Sequence, residues 1–181
     1  ERGIISWITG SGILREEYLE RDTAAISAYY LNNGFLDVQV AAPKVDYQED
    51  GIVITFAVEE GTRYKVNEVS FAGDLIEVAD KLKELTGMDD RAGGEDYFSL
   101  AVMQDDIKAL TDLYSNQGYA YAEIDGVPDK VGDASVNVTY KITKKERMFV
   151  RRVEVEGNVR TRDPVIMRDV KLADGDLLQG E

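Results

Sequence analysis

The chain has 181 residues, 21 basic against 35 acidic, a formal net charge of −14, and neither histidine nor cysteine. That charge repels phosphate backbones and anionic headgroups, which argues against a nucleic-acid role. The missing residue types remove thiol chemistry, disulfides, the commonest general base and the commonest transition-metal ligand. No apolar run approaches the roughly 20 residues that span a bilayer as a helix, and these residues are not expected to include a signal peptide.

Ile4, Ile5, Trp7 and Ile8 precede Thr9-Gly10-Ser11-Gly12, which reads as a helix end or packed loop followed by a glycine turn. Over 15–33, Leu19, Thr23, Ile26 and Tyr30 follow a 3.6-residue spacing and predict a helix stopped at Gly34. Phe35 to about Val45 then predicts a strand, with a polar turn near Gln48–Gly51. The alternating Ile52, Ile54, Phe56 and Val58 predict a second strand with one buried face.

Next comes Glu60-Gly61-Thr62-Arg63-Tyr64-Lys65-Val66, running on to Gly73, and this pattern recurs 84 residues later. Arg63 matches Arg147, Val66 matches Val150, Val69 matches Val153 and Gly73 matches Gly157. Apolar residues change parity at one place in both copies, between 66 and 69 and between 150 and 153. That frame break predicts a strand entered through a short linker or bulge. The stretch reads as a joint between repeated domains, used twice.

Leu75, Val78, Ala79, Leu82 and Leu85 predict a further helix ended by Gly87. Met103, Ile107, Leu110 and Tyr114 predict another, stopped at Gly118. The pairs Asp22/Asp106, Tyr30/Tyr114, Gly34/Gly118 and Phe35/Tyr119 keep the same offset. Strands are predicted at about 119–127 and at 135–143, the latter with Val136, Val138, Tyr140 and Ile142 on its core face. Pro43 and Pro128 fall late in the first strands of the two hairpins, where an edge position tolerates proline. Finally, Asp163 before Pro164 reads as a helix start.

The fold class is therefore α+β, with tandem β-α-α-β-β units, each a three-stranded sheet packed on two helices. Residues 62–146 form a complete unit. Residues 1–61 lack the first strand and most of the first helix of a unit, and 147–181 supply only a first strand and first helix. Both ends thus fall inside domains, as in a fragment of something larger, and are expected to pack poorly or to self-associate with another copy.

The helix end Tyr29-Tyr30-Leu31-Asn32-Asn33-Gly34-Phe35, the joint Glu60–Val66 and the strand end Val69-Ser70-Phe71-Ala72-Gly73 resemble POTRA domains, which form the periplasmic arm of BamA-type outer-membrane assembly proteins. Residues 1–61 resemble most of the third such domain. Asp105-Asp106-Ile107-Lys108 with Gly118-Tyr119-Ala120-Tyr121 resembles the fourth, and Val153–Asn158 with Arg160–Ile166 resembles the opening of the fifth. Lys144-Lys145 replaces Glu60-Gly61 at the second joint, so the second hinge is expected to differ in angle.

No catalytic constellation, metal site or cofactor site stands out, and no enzymatic activity is expected. The acidic residues Asp89, Asp90, Glu95 and Asp96 lack the ordered spacing of a calcium loop and read as a solvated loop. Asp22 and Asp106 read as structural acids that bond nearby backbone. Arg63, Tyr64, Arg147 and Met148 mark the inter-domain joints, the arginines serving as salt-bridge or hydrogen-bond donors. Tyr29, Tyr30, Tyr119 and Tyr121 read as core.

What the architecture offers is a sheet edge, whose unpaired N–H and C=O groups can accept an extended chain as an added strand. The resemblance implies that the first strand of each hairpin is that edge: Asp37, Val38, Gln39, Val40, Ala41 and Ala42 in one unit, Tyr121, Ala122, Glu123, Ile124 and Asp125 in the other. It also implies partners: unfolded outer-membrane β-barrel proteins, accessory assembly lipoproteins, and a membrane reached only through a C-terminal barrel. Alternatives are the POTRA arm of another transporter, two-partner secretion or TamA-like, and a purely structural spacer.

Overall fold

The computed structural model describes residues 3–8, 16–157, 163–168, 170 and 175–176. Two sheets follow one another along the chain. The first contains β1 (Gly3–Ile8), β2 (Gln39–Val40), β3 (Lys44–Gln48) and β4 (Gly51–Glu59), with helix α1 (Glu16–Asn32) between β1 and β2. β4 is central, with β1 on one side and β2 and β3 on the other, all antiparallel to it.

Strand β1 corrects the helix end or loop expected over residues 1–14. The lane beside β4 that a first strand would fill is occupied by an antiparallel one from the chain's own beginning, with Gly3 opposite Val58 and Ile8 opposite Val53. β-branched and aromatic residues suit a pleated strand, and an unpaired edge on β4 would be costly. The glycine turn expected at 9–12 lies outside the described residues.

The strand expected from Phe35 to Val45 is broken in two. Val40 faces Val58, whereas Lys44 faces Thr55. The register therefore slips by one residue, and Ala42 with Pro43 forms a bulge. Proline has no N–H to give a ladder, so the slip falls where pairing is already weakest.

The second sheet contains β5 (Lys65–Gly73), β6 (Glu123–Val131) and β7 (Ser135–Thr143) in the order β5-β7-β6. β5 runs parallel to β7 and shifts register between Val66 and Glu68, where the parity change in the sequence lies. β6 pairs with β7 without a slip, although it carries Pro128. It starts four residues later than expected, so Tyr121 lies in a turn.

Helix α2 (Ala79–Lys83) is shorter than the 75–85 pattern predicts. Leu82 is fully buried, but Leu75, Val78 and Leu85 are exposed, so one turn suffices to bury the one residue of the pattern that reaches the core. Helix α3 (Leu100–Asn116) starts at Ser99, whose side chain caps Val102 N, and buries Met103, Leu110 and Tyr114 against Val136, Val138, Tyr140 and Ile142. α1 is looser: Leu19, Thr23, Ile26 and Tyr30 are only half-buried. Tyr29 and Tyr121, expected in the core, are 66% and 59% exposed: Tyr29 lies on α1 off its Leu19, Thr23, Ile26 and Tyr30 stripe, and Tyr121 lies in the turn before β6.

Beyond β7, residues 150–156 form no strand, contrary to expectation: Val150 bonds Gly175 and Asp176 through its backbone, and an isolated pairing of that kind does not sustain a strand. Helix α4 (Asp163–Met167) stands where the Asp-Pro signal predicts one. Residues 158–162 and 177–181 lie outside the described residues. Among the described residues, no helix is long and apolar enough to cross a membrane.

Candidate functional site

The edge of the first sheet is built around β2. The Ala41 N–H donates to Ala57 O at 2.9 Å, while Gln39 and Val40 face Glu59 and Val58. Antiparallel ladders alternate inward and outward backbone groups. The N–H and C=O of Val40 therefore point away from β4, towards an edge that is open among the described residues.

Beside that edge lies a groove of about 590 Å³, lined by Leu19, Thr23, Ala24 and Ser27 of α1 and by Val40, Ala42 and Pro43. Of the six residues expected on this edge, Gln39 and Val40 are in the strand and Ala41 extends its ladder. Ala42 belongs to the bulge, and Asp37 and Val38 precede the strand. The groove was not legible in the sequence, because it results from how far α1 stands from the sheet.

In the second sheet the outer edge of β5 is covered. Val66 N donates to Asp96 O, Gly93 N to Val66 O and Phe98 N to Tyr64 O, so residues 93–98 occupy it. Among the described residues β6 is left as the open edge. Of the residues expected there, Glu123, Ile124 and Asp125 lie in β6, and Tyr121 and Ala122 do not. Ile124 faces Ile142, the counterpart of Val40 facing Val58.

The joint between the two sheets is dense. Tyr64 N donates to Gly34 O at 2.8 Å, and Arg63 Nε donates to Asn33 O at 2.7 Å. The Arg63 guanidinium lies 3.4 Å from the centre of the Tyr97 ring, a cation–π contact. Tyr64, 6% exposed, donates its hydroxyl to Asp37 Oδ2 at 2.7 Å. The other oxygen of Asp37 accepts from Lys130 Nζ, which also sits over the Tyr64 ring. The Lys130 ammonium and the Tyr64 hydroxyl hold the Asp37 carboxyl below its ordinary range, and Asp37 raises Lys130 in return.

The second joint repeats part of this. Met148 N donates to Gly118 O at 2.9 Å, and Arg147 lies 5.0 Å from the Tyr119 ring centre. Gly61 adopts φ +71 and Lys145, at the same repeat position, adopts φ +55. The left-handed turn is thus kept where glycine is lost. Tyr121 and Met148 replace Asp37 and Tyr64, so the ion-paired clamp has no counterpart.

Asp106 is 3% exposed and accepts from Gly87 N at 2.7 Å, Met88 N at 3.0 Å and the Tyr140 hydroxyl at 2.5 Å. Burial, first, and the carboxylate beside it push the Tyr140 hydroxyl pKa far up. Asp22, at the matching position of α1, is exposed. In the acidic loop, Asp89 pairs with Lys83 and Glu95 with Lys65. Among the described residues no group of three or more acidic side chains gathers as a metal site.

Comparison with known proteins places this geometry. The family described as POTRA, surface antigen variable number repeat, matches residues 2–61 and again 64–145. The chain is 49% identical, over 181 residues, to the outer membrane protein assembly factor BamA of Nitratidesulfovibrio vulgaris, covering 99% of this chain and 23% of that protein. It is 28% identical over 175 residues to BamA of Neisseria meningitidis serogroup B, covering 94% of this chain and 22% of that protein. The chain thus spans about a quarter of the length of these curated relatives. Among solved structures, Haemophilus influenzae BamA POTRA3-5 superposes with a TM-score of 0.69 at 24% identity, covering 88% of this chain and 63% of that one. BamA from Haemophilus ducreyi lacking POTRA domains 1-3 superposes at 0.57 and 19% identity, covering 78% of this chain and 25% of that one.

Proposed function

This chain belongs to the POTRA family, and from that premise we propose that it is a segment of the periplasmic arm of a BamA-like outer-membrane assembly factor. The arm binds nascent outer-membrane β-barrel proteins by strand addition, docks accessory lipoproteins and presents clients near a barrel. Residues 1–61, 62–146 and 147–181 correspond to its third, fourth and fifth domains. The lipoprotein contacts fall to the first and last of these.

The observation that carries the reading is the outward backbone of Val40 beside the groove under α1. An added strand bonds main chain to main chain, which suits a partner handling many sequences, and the groove receives alternate side chains. The Glu123–Asp125 edge of β6 offers the same backbone ladder and is the second acceptor. Each contact alone is worth about 4 kcal/mol, near millimolar, and several domains in series raise it through avidity.

The test is an amide-resolved titration of the 181-residue chain with a peptide copying an outer-membrane β-strand. Joint shifts at 39–41 support strand addition; none at millimolar peptide overturns it.

A second reading, a structural spacer, is favoured by the Asp37–Lys130–Tyr64 clamp, which fixes one sheet to the next. It predicts that changes at Val40 are silent while changes at Arg63 or Asp37 impair assembly.

A further inference from the structure

Strand addition with specificity needs two things at an edge: open backbone groups, and room beside them for the side chains of the incoming strand. The two units share the first and differ in the second. In the first unit Leu19, Thr23 and Ala42 line the open groove. Their counterparts 84 residues on are Met103, Ile107 and Gly126. There the helix lies directly on the strand. A Cβ on Gly126 would come within 2.8 Å of Met103 Sδ, 2.9 Å of its Cγ and 3.3 Å of Ile107 Cδ1.

The cause is legible in the core. Asp106 ties α3 down to β7 through the Tyr140 hydroxyl and to residues 87 and 88 through their amides. The first unit has Phe56, without a hydroxyl, where the second has Tyr140, and its Asp22 is exposed. Among the described residues no buried acid draws α1 inward in that way, and its apolar face stays half-buried.

We propose that Met103 determines which edge accepts side chains. Seated on Gly126, it fills the space beside β6, so an amphipathic extended segment inserts its apolar side chains at the first unit alone. The second edge offers backbone only. The inference rests on the strand-addition reading above, and its ligand is an extended segment with apolar residues at alternate positions.

The test is an amide-resolved titration with a peptide of alternating valine and threonine ended by lysines. For the wild-type chain the expected result is concerted shifts at 39–41 and several-fold smaller ones at 123–127. Met103→Ala should bring 123–127 up to the level of 39–41. Conversely, Leu19→Met with Thr23→Ile, which installs the second unit's residues in the first, should reduce the shifts at 39–41 several-fold.

Shifts at 39–41 with no gain at 123–127 in a folded Met103→Ala chain overturn the role of Met103 and leave strand addition standing. Undisturbed amides of Val136, Val138 and Tyr140 mark that chain as folded. Should it not fold, the α1 double variant decides: undiminished shifts at 39–41 overturn the inference. No shift at 39–41 in the wild-type chain overturns strand addition itself.

Discussion

The Tyr140 hydroxyl donates to Asp106 Oδ2 at 2.5 Å inside the second unit, joining α3 to the middle strand of its sheet. The same carboxylate accepts two backbone amides, so one buried charge is satisfied by three donors. Hydrogen bonds to a charged group are stronger than neutral ones, and losing a partner strands the rest without water.

Asp106→Ala should therefore destabilise the second unit by about 3 kcal/mol or more, since three buried donors lose their acceptor. Tyr140→Phe removes one donor of three and should cost about 1–2 kcal/mol. Asp22→Ala, on the matching but exposed position, should stay within about 0.5 kcal/mol. Urea unfolding followed at second-unit amides checks all three.

The Asp37 carboxyl is held low by Lys130 and Tyr64. A carboxyl whose folded pKa lies below its unfolded value stabilises above the unfolded value, about 3.9, and loses that contribution as pH falls through the folded one. The first joint should therefore stay closed at neutral pH and loosen only below about pH 4. Interdomain residual dipolar couplings measured against pH, with Asp37→Asn as the pH-independent control, check this.

Gly61 combines φ +71 with a site where a Cβ would fall 2.7 Å from the Asp37 Cβ. Gly61→Ala should cost roughly 1–2 kcal/mol at the first joint, from the left-handed backbone and from displacement of Asp37. Lys145→Ala, at the equivalent left-handed position of the second joint, should cost well under 1 kcal/mol, since a side chain is already accommodated there. Thermal unfolding of both variants checks the contrast.

Much of the fold was legible because one repeat appears twice in the sequence. The offset locates both joints, Gly34 and Gly118 locate the helix ends, and the parity change between 66 and 69 locates a real register shift. Periodicity likewise marks the face of β7. Other features escaped because they depend on what lies across space. Gly3–Ile8 is a strand because β4 has an unfilled lane, and the pattern at 75–85 shrinks to one turn because Leu82 alone of its five periodic residues is buried in the core. Tyr29 and Tyr121 share the aromatic pattern of core residues and are exposed. At the candidate site, the edge position of Gln39 and Val40 came from the family resemblance. The bulge at Ala42-Pro43 and the difference between the two helix–strand spaces were not legible, since neither leaves a periodic trace.

Val40→Pro should separate client binding from folding. Its N–H points outward, so proline removes no bond to β4, while an incoming strand loses its donor. Affinity for a strand peptide should fall about tenfold, near 1.4 kcal/mol, with stability changing by less than about 1 kcal/mol. Titration calorimetry beside thermal unfolding checks both halves.

The most direct measurement is hydrogen exchange at single amides with and without a saturating strand peptide. The Val40 amide, outward in the free chain, should become strongly protected, while that of Ala41, already bonded to Ala57 O, should change little. Peptide binding that leaves Val40 exchanging at its free rate would contradict strand addition at this edge.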